Sequence, residues 1–332
     1  MSNQSKANLE TVYMGLKLKN PIIVSSSGLT KSVSEIKKCE DAGAAAVVVK
    51  SIFEEQIQLE IDSEVSKSTG TMWHPEAAEY IGQYAAENAV EQYISVIREA
   101  KKAVSIPIIA SIHCVTAGKW IEFTKKLEGA GADAIELNLF IMPSDPDRTA
   151  IENEQVYFDV VKEVKKIVSI PVSLKVGFYF SSLTSTLSAI GNMGLDGLVL
   201  FNRFHAPDFD IENLQVVSAN TMSHPLEYTR SLRWISILSP LVKCDLCAST
   251  GVHDGASAIK QILAGASAVQ LCSTLYENGL GRIEEIKNEI ETWMTKQNFE
   301  TVDSFKGRLS IDKNQNPAQI ERVQFMKTSV SV

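Results

Sequence analysis

The sequence lacks several features that would assign it at once to a broad class of proteins. Its 332 residues carry 32 Lys and Arg against 40 Asp and Glu, so the excess of basic residues that nucleic-acid binding requires is missing. No apolar run reaches the roughly 18 residues of a transmembrane helix, and the first 18 residues are too polar for a secretory signal. We therefore expect a cytoplasmic protein that binds neither nucleic acid nor membrane.

Cysteine is scarce and odd in number, with five residues in the chain. A large chain of this composition favours reduced thiols over a disulfide framework. Cys244 and Cys247 have the CxxC spacing of a redox pair or of half a metal site, but no second CxxC follows. Both fall in an apolar run that reads as a strand, where residues three apart point to opposite faces. We interpret them as buried structural thiols and predict no metal site.

Eight short runs rich in Val, Ile and Leu alternate with segments of helical period. The runs are PIIVSSSG from Pro21, AAAVVVKS from Ala44, PIIASIHC from Pro107, AIELNLFI from Ala134, PVSLKVGF from Pro171, GLVLFNRF from Gly197, KCDLCAST from Lys243 and AVQLCSTL from Ala268. Such runs are typical of parallel strands buried on both faces. Eight strand–helix units predict an α/β fold, a (β/α)₈ TIM barrel. We expect one domain over residues 1–332, with a polar C-terminal tail from about residue 299.

In such a barrel the active site lies where the strands end. Polar side chains occur there at Lys50, His113, Asn138, Lys175 and Asn202. Side-chain alternation places Glu136 and Asn138 on one face of their strand, and puts Lys175 on the corresponding inward face of the next. A buried lysine is strongly disfavoured as an unpaired charge. Two interpretations follow: an ion pair between Lys175 and Glu136, or an anionic or electron-rich ligand.

The last two strand ends carry small polar residues. Thr250 and Gly251 follow the seventh run, and Cys272 and Ser273 follow the eighth. The loops after strands seven and eight commonly bind phosphate in these barrels, although Ser, Thr and Gly are also ordinary turn residues. Together with the buried lysine, they favour a phosphorylated cofactor. Two long connections, residues 52–106 and 205–240, are candidate walls of the substrate pocket.

Several motifs in the same order resemble one family. They are LKNPIIVSSSG, VVVKS, ELNL, SLKV, LFN, STGVHDGASA, GASAVQLCSTL, FETVDSFKGRLS and ERVQFMK, and the resemblance covers roughly residues 11–330. This pattern resembles the dihydroorotate dehydrogenases, in particular the class 1 branch that binds FMN. The resemblance implies an FMN-dependent oxidoreductase acting on a CH–CH bond, oxidising dihydroorotate to orotate in pyrimidine biosynthesis. It also implies a cytoplasmic homodimer.

The resemblance assigns roles to residues at the strand ends. It places Ser27 and Gly28 against the flavin, Lys50 and Ser51 beside flavin and substrate, Asn138 and Asn202 in contact with both, Lys175 at the isoalloxazine ring, and Thr250, Gly251, Cys272 and Ser273 around the phosphate. Of these, Lys50, Asn138 and Asn202 are the expected catalytic residues. A fixed lysine would stabilise the charge of the reduced ring.

The sequence departs from the family where the catalytic base is expected. Relatives carry Cys or Ser shortly after the asparagine of the fourth strand, whereas Ile141 and Met142 occur here, and neither accepts a proton. Arg203 also stands where relatives often have Ser, and MWHPEA replaces an asparagine-bearing substrate loop. His113 is the first candidate for a substitute base, followed by His74 and Ser144.

Two alternatives to dihydroorotate oxidation follow from this departure. One is the same flavin chemistry on another dihydro or unsaturated substrate. The other is a catalytically silent FMN-binding protein that regulates an electron-transfer partner or docks onto it. The electron acceptor stays open among fumarate, NAD reached through a partner protein, and ferredoxin.

Overall fold

The computed structural model describes residues 7–53, 75–113, 117–219, 221–311 and 320. The strands are β1 (Thr11–Tyr13), β2 (Leu16–Leu18), β3 (Ile22–Val24), β4 (Ala46–Val48), β5 (Ile52–Phe53), β6 (Ile108–His113), β7 (Ala134–Leu139), β8 (Val172–Val176), β9 (Gly197–Leu200), β10 (Pro207–Asp210), β11 (Gln215–Ser218), β12 (Asp245–Ser249) and β13 (Ala268–Leu271). The helices are α1 (Val33–Asp41), α2 (Pro75–Ala103), α3 (Ala117–Gly129), α4 (Ala150–Lys165), α5 (Leu183–Gly191), α6 (Tyr228–Leu238), α7 (Gly255–Ala264), α8 (Ser273–Asn278) and α9 (Arg282–Gln297).

A closed parallel barrel forms the centre of these residues. Its order is β3, β4, β6, β7, β8, β9, β12 and β13, and β13 pairs back onto β3. The short β5 continues the path of β4 along β6, so the two segments together fill one barrel position. Each of the eight predicted apolar runs supplies one position. The predicted (β/α)₈ barrel is confirmed.

Helices cover the outside of the barrel because each carries one apolar stripe. Ile36 of α1, Leu127 of α3, Val161 of α4 and Ile262 of α7 are all fully buried and belong to one hydrophobic core. This shell surrounds parallel strands that are themselves buried on both faces, as βα units require. It holds the strand ends in fixed positions, which is what a site at those ends needs.

An antiparallel hairpin closes the N-terminal end of the barrel. Strands β1 and β2 are joined through Met14 and Gly15, whose φ angles of 53° and 74° are typical of the turns that fit a twisted hairpin. Tyr13 and Met14 pack against inward-facing barrel residues, and the Met14 amide donates to Asp245 Oδ2 at 2.8 Å. The sequence analysis did not predict this hairpin, which leaves the opposite, C-terminal end for binding.

The segment after α9, where the sequence predicts a polar tail, packs into the fold as far as residue 311. Val302 and Phe305 are fully buried, and the Phe305 ring lies 5.0 Å from that of Trp293 in α9. Thr301 also forms a bridge with Asn8. Val302 and Phe305 belong to the main hydrophobic core, so this segment packs against α9 and that core.

The two cysteines of the CxxC spacing are free thiols. Cys247 lies in β12 and is fully buried, whereas Cys244 precedes β12 and is half-buried, so only one of them belongs to the strand. Burial raises the pKa of the Cys244 thiol to about 12 and that of Cys247 well above its usual range. Within the ranges that the structure describes, no helix is long and apolar enough to cross a membrane.

Candidate active site

A cavity of about 200 Å³ lies at the C-terminal end of the barrel. Its walls are mostly small polar side chains from the ends of β3, β8, β9, β12 and β13. Six residues predicted from the sequence line it together: Lys175, Asn202, Thr250, Gly251, Cys272 and Ser273. Barrel closure brings them together, since almost 100 residues of sequence separate Lys175 from Ser273. The cavity is therefore the place where the sequence-based site predictions converge, and we call it the central cavity.

Lys175 is the most deeply buried cation of the central cavity, which Arg203 also lines. It lies on β8 opposite Asn138 of β7, and its side chain is inward-facing and 6% exposed. Its Nζ donates hydrogen bonds to Ser25 Oγ at 3.1 Å and to Gln270 Oε1 at 2.8 Å. Both partners are neutral. The ammonium charge therefore needs a carboxylate nearby or an anionic ligand above it.

The carboxylate of Glu136 partly meets that need. Its Oε1 lies 3.8 Å from Lys175 Nζ, while its Oε2 accepts a hydrogen bond from Gln270 Nε2. Glu136 is 1% exposed, and its Oε1 accepts no hydrogen bond from any described residue. The predicted ion pair is present, but the contact is longer than a direct hydrogen bond and Gln270 bridges the two groups. Lys175 also faces the cavity, so the ligand interpretation stands beside it.

Two asparagines connect the ends of β7 and β9. Asn202 Nδ2 donates to Asn138 Oδ1 at 2.8 Å, and the Asn202 amide donates to the Val176 carbonyl at 2.7 Å. Asn202 lines the central cavity, and Asn138 stands directly behind it. His113 Nδ1 lies 2.6 Å from the Asn138 carbonyl oxygen, which fixes the imidazole at the end of β6. The predicted asparagine pair is thus held in one rigid arrangement.

The predicted residues of the first two strand ends lie beside the cavity rather than in its wall. Ser51 hydrogen-bonds to the hydroxyl of Ser26, which does line it. Ser27 caps the short 3₁₀ turn that begins at Gly28, and a Cβ at Gly28 would lie 2.7 Å from the Tyr276 hydroxyl. Lys50 is exposed between β4 and β5.

The loop after β12 begins with two residues in the left-handed backbone region and packs closely against the start of α6. Thr250 and Gly251 have φ angles of 77° and 78°, and a Cβ at Gly251 would collide with the Tyr228 backbone nitrogen. Ser223 ties this loop to the next one: its amide donates to Ser273 Oγ at 2.9 Å, and its hydroxyl lies 3.0 Å from His253 Nε2. Backbone amides and hydroxyls of this kind are suited to oxygen-rich anions.

With this geometry established, comparison with known proteins assigns the family. A family model described as "Dihydroorotate dehydrogenase" matches residues 8–294. The chain belongs to the dihydroorotate dehydrogenase family. The family predicted from the sequence motifs is thereby confirmed.

Curated relatives of this dihydroorotate dehydrogenase family member are similar over almost their full length. The "Dihydroorotate dehydrogenase B (NAD(+)), catalytic subunit" of Thermoplasma volcanium is 28% identical, covering 91% of this chain and 98% of that protein. The protein of the same name from Methanocaldococcus jannaschii is 26% identical, covering 88% and 95%. The "Putative dihydroorotate dehydrogenase A (fumarate)" of Aeropyrum pernix is also 26% identical, covering 91% and 98%.

At the position where the resemblance implies a catalytic base, this dihydroorotate dehydrogenase family member has Ile141 and Met142, whose side chains accept no proton. Ile141 is half-buried with its amide donating to the Tyr157 hydroxyl at 3.1 Å, and Met142 is exposed. Ser144 is exposed on the same loop. His74 lies outside the described residues. Arg203, the other departure, pairs with Glu227 at 3.2 Å and lines the central cavity.

The sequence analysis missed several cavity residues, among them Gln270, Ser25 and Ser223. Gln270 lies on the inward face of β13, as Lys175 does on β8. A polar residue within an apolar run could therefore have identified it as a site residue. Ser25 was a weaker signal because it sits among three consecutive serines. Ser223 gave none, since it lies inside the long connection of residues 205–240, far from any predicted strand end.

Proposed function

We propose that this protein is an FMN-dependent oxidoreductase whose reaction is that of its family, the oxidation of dihydroorotate to orotate in pyrimidine biosynthesis. The observation that carries the proposal is the buried Lys175 ammonium, held by Ser25 and Gln270 at the floor of the central cavity. An aligned cation in a water-poor site stabilises negative charge that develops on a ligand above it. We take dihydroorotate as the proposed substrate from the names of the relatives.

The residues present fit FMN. Lys175 would supply a cation to the flavin ring, and the amides and hydroxyls of the loops at Thr250–Gly251 and Cys272–Ser273 would hold its phosphate. When bound, FMN supplies a two-electron acceptor for a hydride from the substrate.

The protein's own residues have three tasks in this reaction. Lys175 favours the reduced, more negative ring and so makes the electron transfer easier. Asn202 and Asn138, locked together at 2.8 Å, present fixed amide groups to flavin and substrate. Lys50, exposed at the second strand end, is the cation available to an anionic substrate. We assign the catalytic roles to Lys50, Asn138 and Asn202 on this basis.

Removal of the substrate proton is the step for which the site is least equipped. Among the three proposed substitutes, His113 is the one fixed at a strand end, with Nδ1 directed to the Asn138 carbonyl. Ser144 is exposed on a loop, and a free serine is a poor base without a partner. We therefore propose His113 as the base. The absent Cys or Ser favours a second candidate function, the same flavin chemistry on a different dihydro or unsaturated substrate.

We further propose that the protein is a homodimer. The β10–β11 hairpin projects four apolar side chains into solvent: Phe209, Ile211, Leu214 and Val216, which are between 70% and 89% exposed. A contiguous apolar surface of this kind marks an interaction site. Light scattering should give a dimer mass for the wild type and a monomer mass for Leu214→Asp. A monomeric wild type would contradict the proposal.

An electron-transfer protein is the second proposed partner, because several similar proteins are named catalytic subunits of NAD(+) enzymes.

The identity of the cofactor is tested first, on the purified protein. We expect a yellow protein that releases FMN and not FAD, because no Gly-x-Gly-x-x-Gly unit for an adenine dinucleotide follows a strand. A colourless protein that cannot be reconstituted with FMN would contradict the proposed function. Three electron acceptors should then be tested as oxidants of the reduced protein: fumarate, NAD together with the electron-transfer partner protein, and ferredoxin.

A further inference from the structure

Aromatic rings concentrate at three consecutive strand ends beside the central cavity. Phe140 follows β7, Phe178 and Tyr179 follow β8, and Phe201 and Phe204 follow β9, so this small region holds four of the chain's 12 phenylalanines. The rings of Phe140 and Phe204 stack at 3.6 Å between centroids, and those of Phe178 and Tyr179 at 4.5 Å. Phe204 remains 48% exposed and Tyr179 42% exposed. Contiguous exposed rings at a barrel mouth are typical of a binding surface.

These rings line a second cavity of about 230 Å³, which we call the aromatic pocket. Its aromatic walls are Phe178, Tyr179, Phe201 and Phe204. It shares Asn202, Arg203, Ser249 and Thr250 with the central cavity, so the two lie side by side and are separated by a single layer of residues. Pockets for drug-sized ligands have volumes of about 300 Å³ or more. The aromatic pocket is thus suited to a single small ring.

The aromatic pocket carries one surplus positive charge. The Arg230 guanidinium of α6 lies 3.9 Å from the centroid of the Phe178 ring. No carboxylate in the described part of the chain lies within ion-pair distance of it. Arg203, the other cation of the pocket, is compensated by Glu227 at 3.2 Å. A guanidinium lying on an aromatic face is oriented with its N–H groups free to bind a carboxylate in a two-pronged manner.

We propose that the aromatic pocket is a second ligand site, which binds a small aryl carboxylate next to the flavin cavity. The ring of such a ligand would pack against the exposed rings of Phe204 and Tyr179, and its carboxylate would pair with Arg230, which lies on the Phe178 ring. Neither element alone selects this class, because aromatic walls accept neutral rings and an exposed arginine accepts any anion. The site goes beyond the proposed function and requires no bound FMN.

Benzoate is the probe for this site. We expect saturable binding of benzoate to the purified full-length chain in ligand-observed NMR. Arg230→Gln should bind benzoate about tenfold more weakly. This loss lies between that of a fully exposed ion pair and that of a charge-assisted hydrogen bond. Arg233→Gln is the matched control, because Arg233 is an exposed arginine of the same helix that does not line the pocket. Benzamide, which keeps the ring and loses the charge, and cyclohexanecarboxylate, which keeps the charge and loses the ring, should both bind more weakly than benzoate.

The proposal would be overturned if benzoate showed no saturable binding to folded protein, if Arg230→Gln and Arg233→Gln bound it equally well, or if saturating FMN displaced it. The last would place the probe in the central cavity. Phe178→Leu provides a second variant should Arg230→Gln fold poorly, since it removes the ring and keeps an apolar side chain; unchanged benzoate affinity there would also overturn the proposal. Benzoate binding to a protein that takes up no FMN would contradict the proposed function and support this site.

Discussion

Lys175 Nζ and Glu136 Oε1 lie 3.8 Å apart in the interior of the barrel, and both side chains are almost completely buried. Gln270 connects them by accepting from the lysine and donating to the carboxylate. The positive charge of Lys175 is therefore partly compensated by the Glu136 carboxylate, and the lysine also lines the central cavity. This arrangement gives a structural and a functional role to the same lysine, and the two roles can be measured separately.

Replacing Lys175 with methionine should weaken FMN binding by about 1.5–3 kcal/mol, the range of a hydrogen bond to a charged group. The reduction potential of bound flavin should also become more negative, because the reduced ring loses its cation. Fluorescence titration and dye-linked potentiometry measure the two effects. Lys162→Met, an exposed position on the outer helix α4, is the control. Unchanged affinity and potential would leave Lys175 with a structural role alone.

A double-mutant cycle should isolate the structural role. In FMN-free protein, Lys175→Met and Glu136→Gln should each lower the free energy of unfolding by about 3 kcal/mol, because each leaves one buried charge without its partner. The double variant should be less destabilised than the sum of the two single variants. Urea denaturation measures all four proteins. The half-exposed pair Lys165 and Asp196, at 2.8 Å, serves as the control and should give a coupling of less than about 1 kcal/mol. Additive single effects at the buried pair would contradict this interpretation.

Dihydroorotate should reduce the bound flavin slowly at neutral pH. Loss of a general base typically costs about 10²- to 10⁴-fold, and Ile141 and Met142 stand where relatives carry Cys or Ser. Anaerobic stopped-flow absorbance measures the rate against a relative that has the base. Ile141→Cys and Met142→Cys should be compared, and the one that faces the flavin should be faster.

An ordinary rate in the wild type would mean that another residue supplies the base, and His113→Asn should then abolish it. If neither the wild type nor a cysteine variant is reduced, the site serves a different substrate, in agreement with the second candidate function.

The carboxylate of Glu40 should make stability depend on acid pH. Burial opposes its ionisation, but the Lys37 ammonium and the Ser105 hydroxyl and amide lower the pKa of Glu40 to about 2. A lowered folded-state pKa stabilises the protein above the unfolded value near 4, and this contribution disappears as the pH falls through about 2. Glu40→Gln should therefore cost about 1–2 kcal/mol at neutral pH and progressively less as the pH falls below 4. Chemical denaturation between pH 7 and pH 2 checks this, and a constant difference would contradict it.

The barrel was predictable because its signals are local. An apolar run such as residues 44–49 identifies a buried strand wherever it occurs, and eight strand-like runs alternating with helical segments leave few architectures. Strand parity is equally local, and alternation along the chain is sufficient to place Lys175, Glu136 and Asn138 on inward faces. The N-terminal hairpin and the packing of Phe305 were missed, since a three-residue strand and a single buried ring produce no periodic pattern.

The order of residues along the chain is enough to specify the strands, the inward residues on each and the family to which the motifs belong. Which of those residues meet depends on the folded barrel. Gln270 bridges Lys175 and Glu136 although 95 and 134 residues of sequence separate it from them, because closure of the barrel places β13 within reach of β7 and β8. The aromatic pocket has the same origin. Its rings follow two different strands and its arginine belongs to a helix, and no pattern along the chain relates them until the strands pair side by side.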